Sequence, residues 1–153
     1  MSDQQMTISV RRAELQHLDL IVPLFDAYRQ FYDQEANLEL ARSFLEKRLK
    51  NNESVIFLAS DNQTGLGFTQ LYPVFSSISC RTAWILNDLF VAPDGRKKGI
   101  ASALMQHAEE FARESGAKGM ELATHIENMP AQQLYEKRGW IRGTEFLHYE
   151  WNV

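Results

Sequence analysis

Three cations and a glycine stand together in Arg96-Lys97-Lys98-Gly99-Ile100-Ala101, just before a segment in which Ile100, Ala103, Leu104, Ala108 and Phe111 recur at helical spacing. The small residues at the fourth and sixth positions of this turn let backbone come close to a ligand as the helix begins. The unpaired amides of the first helical turn then point at an anion. Lys97 and Lys98 add positive charge where acidic side chains ordinarily favour a helix start, so the turn reads as a grip for a strongly anionic group such as pyrophosphate. A solvated basic turn is the bland alternative. A nucleotide P-loop is excluded, because it needs Lys-Ser or Lys-Thr after its second glycine, and Gly99 is followed by Ile100-Ala101.

A second group with chemical potential is Asp88. In ideal strand alternation it shares a face with Trp84, Leu86 and Phe90, a place that suits a lone carboxylate only where the face opens onto a cleft. Partial desolvation there raises its pKa and makes it a better base. Pairing with a nearby Lys or Arg is the competing explanation, and a bulge in the strand would change the facing. Cys80 and His125 receive no catalytic role, since a lone cysteine and a strand histidine are more often structural.

The elements that must position these groups are legible as alternating patterns. Thr7 to Ala13 reads as a first strand. A helix follows from about Asp19, with Leu20, Leu24, Ala27, Tyr28 and Phe31 on one stripe and Pro23 tolerable only in its opening turn. After the polar link Asp33 to Asn37, the stripe Leu38, Ala41, Phe44, Leu45 and Leu49 predicts a second helix. Val55 to Ser60 and Gly67 to Val74 predict an antiparallel hairpin around Asp61 to Gly65, followed by an exposed linker from Phe75 to Ser79. Trp84 to Val91 is the strongest strand; it ends at Ala92-Pro93-Asp94-Gly95, and the helix beyond the basic turn stops at Ser115-Gly116. Met120 to Thr124 predicts a strand parallel to its predecessor, reached by a right-handed crossover. Pro130 to Arg138 predicts a short helix before Gly139, and Trp140 to Ile141 with Glu145 to Trp151 supply closing strand material.

The whole therefore reads as one α/β domain over residues 1–153: a mixed, mostly antiparallel sheet with a central parallel strand pair, flanked by helices. At 153 residues, 44% hydrophobic and 24% charged, the chain can bury a single core. A net charge of −4 argues against broad nucleic-acid binding, and no apolar run is long enough to cross a membrane. The polar start Met1-Ser2-Asp3-Gln4-Gln5 lacks a signal-peptide pattern, so a cytoplasmic location is expected. One cysteine allows no internal disulfide, and four scattered histidines give no metal-ligand spacing.

The turn matches the Gln/Arg-x-x-Gly-x-Gly/Ala signature of the GNAT superfamily of acyl-CoA-dependent N-acyltransferases, in the strand–turn–helix setting that family requires. Leu86 to Pro93 resembles its fourth strand. Asn128-Met129-Pro130-Ala131-Gln132-Gln133-Leu134-Tyr135-Glu136-Lys137-Arg138-Gly139-Trp140 resembles its C-terminal Asn-x-x-Ala-x-x-Leu-Tyr-x-x-x-Gly-aromatic motif. The N-terminal half follows the family by order of elements alone.

The resemblance implies acetyl-CoA as donor, with coenzyme A as product. It places the pyrophosphate on Arg96, Lys97, Lys98, Gly99, Ile100, Ala101 and Ser102, and the pantetheine arm against backbone groups of Leu89, Phe90 and Val91, where the fourth and fifth strands diverge. Asn128 and Ala131 would contact the coenzyme. Asn128 is also explained as a helix cap. Tyr135 matches the family's general acid, a phenol with a pKa near 10 that can protonate the departing thiolate, and a half-buried aromatic is the alternative.

An alkylammonium acceptor must lose a proton before it attacks a thioester, which makes Asp88 the leading candidate base. Asn87-Asp88 resembles the Glu-Asp pair of polyamine N-acetyltransferases in a similar Leu-x-Asp-x-Phe-Val context, with the first acid missing. Asn87, Asp88, Tyr28 and Tyr32 form the expected acceptor site, although packing alone would explain at least one of the tyrosines. Asp33, Glu35 and Glu127 could add a negative mouth. A small-molecule amine, with a polyamine or diamine favoured, is the leading acceptor. The alternatives are a protein lysine or N-terminus, and a non-catalytic acyl-CoA sensor. A homodimer is expected only because the family commonly forms one.

Overall fold

The computed structural model describes residues 7–153, so the polar start read above lies outside the described residues. The chain forms two compact units, Met1–Leu122 and Ala123–Val153.

The first unit is built on a five-stranded sheet in the order β1 (Ser9–Arg12), β2 (Val55–Ser60), β3 (Gly65–Ser76), β4 (Arg81–Val91) and β5 (Met120–Glu121). The first four strands pair antiparallel, and β4 and β5 pair parallel. This is the expected mixed sheet, with β5 shorter than Met120 to Thr124 and β3 continuing through the expected linker as far as Ser76. Every residue of β2 is buried, as a strand covered on both faces requires.

Helices cover the two faces. α1 (Leu18–Phe31) packs its buried Leu18, Ile21, Val22, Leu24 and Phe25 against the sheet, and α2 (Leu38–Lys50) adds Ala41 and Leu45. On the opposite face, α3 (Ile100–Glu114) brings Phe111 against Phe57 of β2 and Trp84 of β4, and Trp84 Nε1 donates to Ser115 Oγ at 3.1 Å. Pro23 was expected only in an opening turn, but it is the sixth residue of α1. The helix tolerates the lost backbone donor because residues on both sides of it, Ile21, Val22, Leu24 and Phe25, are anchored in the core.

Asp26, a buried carboxylate on α1, ties the two helices together. It accepts from Arg29 Nη1 (2.9 Å), Gln30 Nε2 (3.2 Å) and the backbone N–H of Asn37 (3.0 Å). Asn37 in turn caps α2 by accepting from the Leu40 N–H.

The second unit holds α4 (Met129–Lys137), with Pro130 in its first turn and Gly139 in the left-handed region just beyond it. The strand material expected at Trp140 to Ile141 and Glu145 to Trp151 forms no strand here. An alternating apolar pattern supplies the side chains for a strand, but a ladder partner completes one, and no described strand pairs with this segment.

Candidate active site

The β3–β4 ladder sets the site through one irregularity. Gln70 pairs with Asp88 and Leu71 with Leu86, so Asn87 is an extra residue bulged out of β4. Cross-strand partners share a face. Leu86 therefore lies with Leu71 and Trp84 on the α3 side, whereas Asp88 and Phe90 lie with Gln70 and Phe68 on the α1–α2 side. Ideal alternation, which placed Asp88 with Trp84 and Leu86, is corrected by that single inserted residue.

Asp88 is 3% exposed. Among the described residues no salt bridge reaches it, so the alternative of a Lys or Arg partner is not what the structure shows. Its oxygens are held by neutral donors: Gln70 Nε2 gives to Oδ2 at 2.6 Å and Asn87 Nδ2 to Oδ1 at 2.9 Å. Burial pushes the carboxyl above its usual range, and hydrogen bonds from Gln70, Asn87 and Tyr28 hold it back.

Tyr28 stands over this carboxylate from α1. Its ring packs in an aromatic cluster with Phe25, Tyr32, Phe68 and Phe90, and its hydroxyl reaches the Asn87 carbonyl at 3.5 Å. Burial first, and then the Asp88 charge, push the Tyr28 phenol far above its ordinary value, so it is a donor at any physiological pH. Tyr72 of β3, on the Gln70 face, is raised in the same way by burial and Asp88, with Arg48 opposing. Tyr32 is 55% exposed and meets the group through its ring contact with Tyr28. Asp33 and Glu35 are exposed on the first unit and Glu127 on the second.

The bulge also phases the backbone of β4. The N–H of Ala92 donates to Leu66 of β3 at 2.8 Å, and the Asp88 carbonyl accepts from Thr69 Oγ1 at 2.8 Å. By the two-residue repeat of a ladder, Asp88 and Phe90 direct their backbone groups to β3, while Leu89 and Val91 direct theirs to the other edge. β5 occupies that edge only at Trp84 and Ile85, so the amides of Leu89 and Val91 lie beyond the last strand pairing. Of the three residues expected to meet a pantetheine arm through backbone, Phe90 is thus engaged with β3.

Beyond β4 the basic turn is left-handed at two positions. Lys97 and Gly99 are both left-handed, with φ of 62° and 73°. Gly99 is the N-cap of α3, no side chain caps the helix, and a Cβ at Gly99 would enter open space. Arg96, Lys97 and Lys98 are exposed and outside the salt bridges among the described residues; Arg96 Nε and Lys98 Nζ bond to the carbonyls of Val91 (3.3 Å) and Asp94 (2.9 Å). An uncapped helix start, approachable backbone and three cations fit an anionic pyrophosphate.

The model of the acetyltransferase (GNAT) family matches residues 20–140 of this chain. The chain belongs to the GNAT family. It is an N-acetyltransferase by that membership, and GNAT enzymes use acetyl-CoA. It is 45% identical over 146 residues to the uncharacterized N-acetyltransferase YhfO of Bacillus subtilis (strain 168), covering 95% of this chain and 98% of that one. A crystal structure of a probable acetyltransferase superposes with a TM-score of 0.89 at 45% identity, over 95% of this chain and 97% of the other. An aminoglycoside N-acetyltransferase in complex with CoA shares the fold at TM-score 0.81 and 18% identity, with full coverage of both chains.

Among the family-matched residues, Tyr28, Asn87 and Asp88 are brought together in the first unit, and Arg96 through Ser102 follow β4 in the same unit. Asn128, Ala131 and Tyr135 lie together on the second unit, where Asn128 Oδ1 accepts from the Ala131 N–H at 3.3 Å as a cap. The Tyr135 ring is 6.4 Å from that of Trp140, centroid to centroid. Gln70 and Tyr72 were missed by sequence reasoning. Their signal was a glutamine between Phe68 and Tyr72 on the inward face of a strand that is otherwise apolar there.

Proposed function

We propose that this enzyme transfers an acetyl group from acetyl-CoA to a primary amine of a small molecule, by direct attack within a ternary complex, with a polyamine or diamine as the favoured acceptor. The observation that carries the reading is Asp88: a buried carboxylate with no salt-bridge partner among the described residues, ringed by neutral donors on the face covered by α1 and α2. An unpaired buried charge is costly to keep, and an incoming ammonium is the partner that would offset it.

In this reading acetyl-CoA supplies the acyl group as an activated thioester. Gly99 to Ser102 and the cations Arg96, Lys97 and Lys98 bind its phosphates. The amides of Leu89 and Val91, beyond the last strand pairing, hold its arm, and a backbone N–H of this strand is suited to stabilise the developing oxyanion, a contact worth roughly 3 kcal/mol in comparable sites. Asp88 takes the proton from the ammonium so that the amine lone pair can attack. Tyr28 and Asn87 orient the carboxylate and line the acceptor site, Tyr32 forms its exposed rim, and Tyr135 returns a proton to the leaving thiolate. Asn128 and Ala131 add contacts to the coenzyme.

The test is thiol release from acetyl-CoA against a panel of polyamines, diamines, amino acids, aminoglycosides and peptides. Turnover on small amines is expected. Turnover on peptides alone would replace the acceptor class with protein, and binding of acetyl-CoA without turnover on any acceptor would replace catalysis with sensing.

A further inference from the structure

Gln70 is fully buried, and it lies opposite Asp88 in the ladder, one residue past the bulge. Only half of its amide is used. Nε2 donates to Asp88 Oδ2 at 2.6 Å, while Oε1 is buried with no hydrogen-bond partner among the described residues. A buried carbonyl oxygen without a donor is costly, and a Leu or Met of similar volume would fill the same space without that cost. The arrangement makes sense when the neighbouring carboxyl changes state. An ionised carboxylate only accepts, so it needs Nε2. A protonated one carries an O–H, so it needs an acceptor. Turning the Gln70 amide over by half a rotation presents Oε1 in place of Nε2.

We propose that Gln70 is the positioning residue of Asp88, an amide that turns over as the carboxyl gains and loses the acceptor's proton, so that both states of Asp88 are hydrogen-bonded in a buried site. This rests on Asp88 acting as the base. During a turnover the ammonium N–H bond breaks, the proton joins Asp88, and Oε1 of the turned amide accepts that O–H. The proton then passes to solvent and Nε2 returns to the carboxylate. The other groups facing Asp88 do not duplicate this role. Asn87 on β4 already donates to Oδ1, and Tyr28 from α1 and Tyr72 from β3 stay protonated, since burial and the carboxylate itself raise both phenols. Arg48 of α2 acts on Tyr72 and forms its salt bridge with Glu53.

The experiment follows the Asp88 carboxyl carbon by 13C NMR across pH in the wild type and in Gln70→Met, beside the pH profile of kcat/KM on the best amine of the panel. Loss of the donor to the charged form outweighs loss of the acceptor to the neutral form, so the Asp88 midpoint should rise by about one unit in the variant. An unchanged midpoint overturns the proposal. A second measurement needs no variant: the 15N-labelled Gln70 side-chain amide of the wild type should move with the same midpoint as the Asp88 carbon, and an amide that stays still through that titration also overturns it. If the midpoint rises while the acid limb of kcat/KM stays in place, the Gln70–Asp88 pair stands and the assignment of Asp88 as base falls.

Discussion

Leu86 and Asp88 are two residues apart on one strand, yet they face opposite sides of the sheet, because Asn87 is inserted between the pairs Leu71–Leu86 and Gln70–Asp88. That one extra residue has two effects. It moves the carboxylate from the α3 face to the face of Tyr28 and Tyr72, and it turns the amides of Leu89 and Val91 toward the edge that β5 leaves open. In the proposed mechanism, acceptor chemistry on one face and donor binding along the edge would thus share a single backbone feature.

For Asp88 the expected consequence is kinetic. Asp88→Asn keeps the shape and removes the proposed base, so kcat/KM should fall by about 10²–10⁴-fold, and the acid limb of its pH profile should vanish. Because burial raises this carboxyl, that limb in the wild type should lie above the ordinary aspartate range. A limb that persists in the variant would assign it to another group.

The same substitution should affect stability in the opposite sense. A carboxyl raised in the folded state resists ionisation there, so its contribution to stability is full below the unfolded pKa near 3.9 and is lost as pH rises through the higher folded value. Asp88→Asn escapes that loss. Thermal melts should therefore show the variant gaining on the wild type as pH is raised from 4 to 8, and a difference independent of pH would contradict the raised carboxyl.

Much of this was legible in the chain because it depends on local pattern. The stop of α3 before Gly116, the cap at Asn128 and the short helix between Pro130 and Gly139 follow from residue type and spacing. The facing of Asp88 was not legible, since a bulge is decided by the register of a partner strand, and alternation counted along β4 alone assigns the wrong side. Gln70 escaped notice for a related reason: its meaning lies in the residue opposite it. Pro23 shows the converse, where core packing overrides a local rule.

Gly99→Val should separate binding from folding. A valine at φ 73° carries strain of about 1–2 kcal/mol, which for a chain of this size lowers Tm by several degrees. Its side chain enters space that is open in the protein and that the phosphates would need. Calorimetry should show acetyl-CoA affinity reduced at least about tenfold, more than one bond's worth of contact can compensate. Wild-type affinity in a folded variant would remove the turn from the donor site.

Asp26 should prove structural. Asp26→Ala leaves the Arg29 guanidinium, the Gln30 amide and the Asn37 N–H without their shared acceptor, at a cost of about 3 kcal/mol in chemical denaturation. The loss should be the same at every amine concentration. A change confined to KM with stability intact would instead assign Asp26 to the acceptor site.

Tyr135 tests the other end of the reaction. A phenol that only packs on its helix would lose little when its hydroxyl is removed, since Phe keeps the ring and its contact with Trp140. A phenol that protonates the departing thiolate would lose the proton donor while the donor-binding groups stay in place. Tyr135→Phe should therefore lower kcat by about 10²-fold with acetyl-CoA affinity changed less than about twofold. The loss should shrink for acyl donors whose leaving thiol is more acidic, because such thiolates depart without protonation. An unchanged rate with the natural thiol would take Tyr135 out of the mechanism.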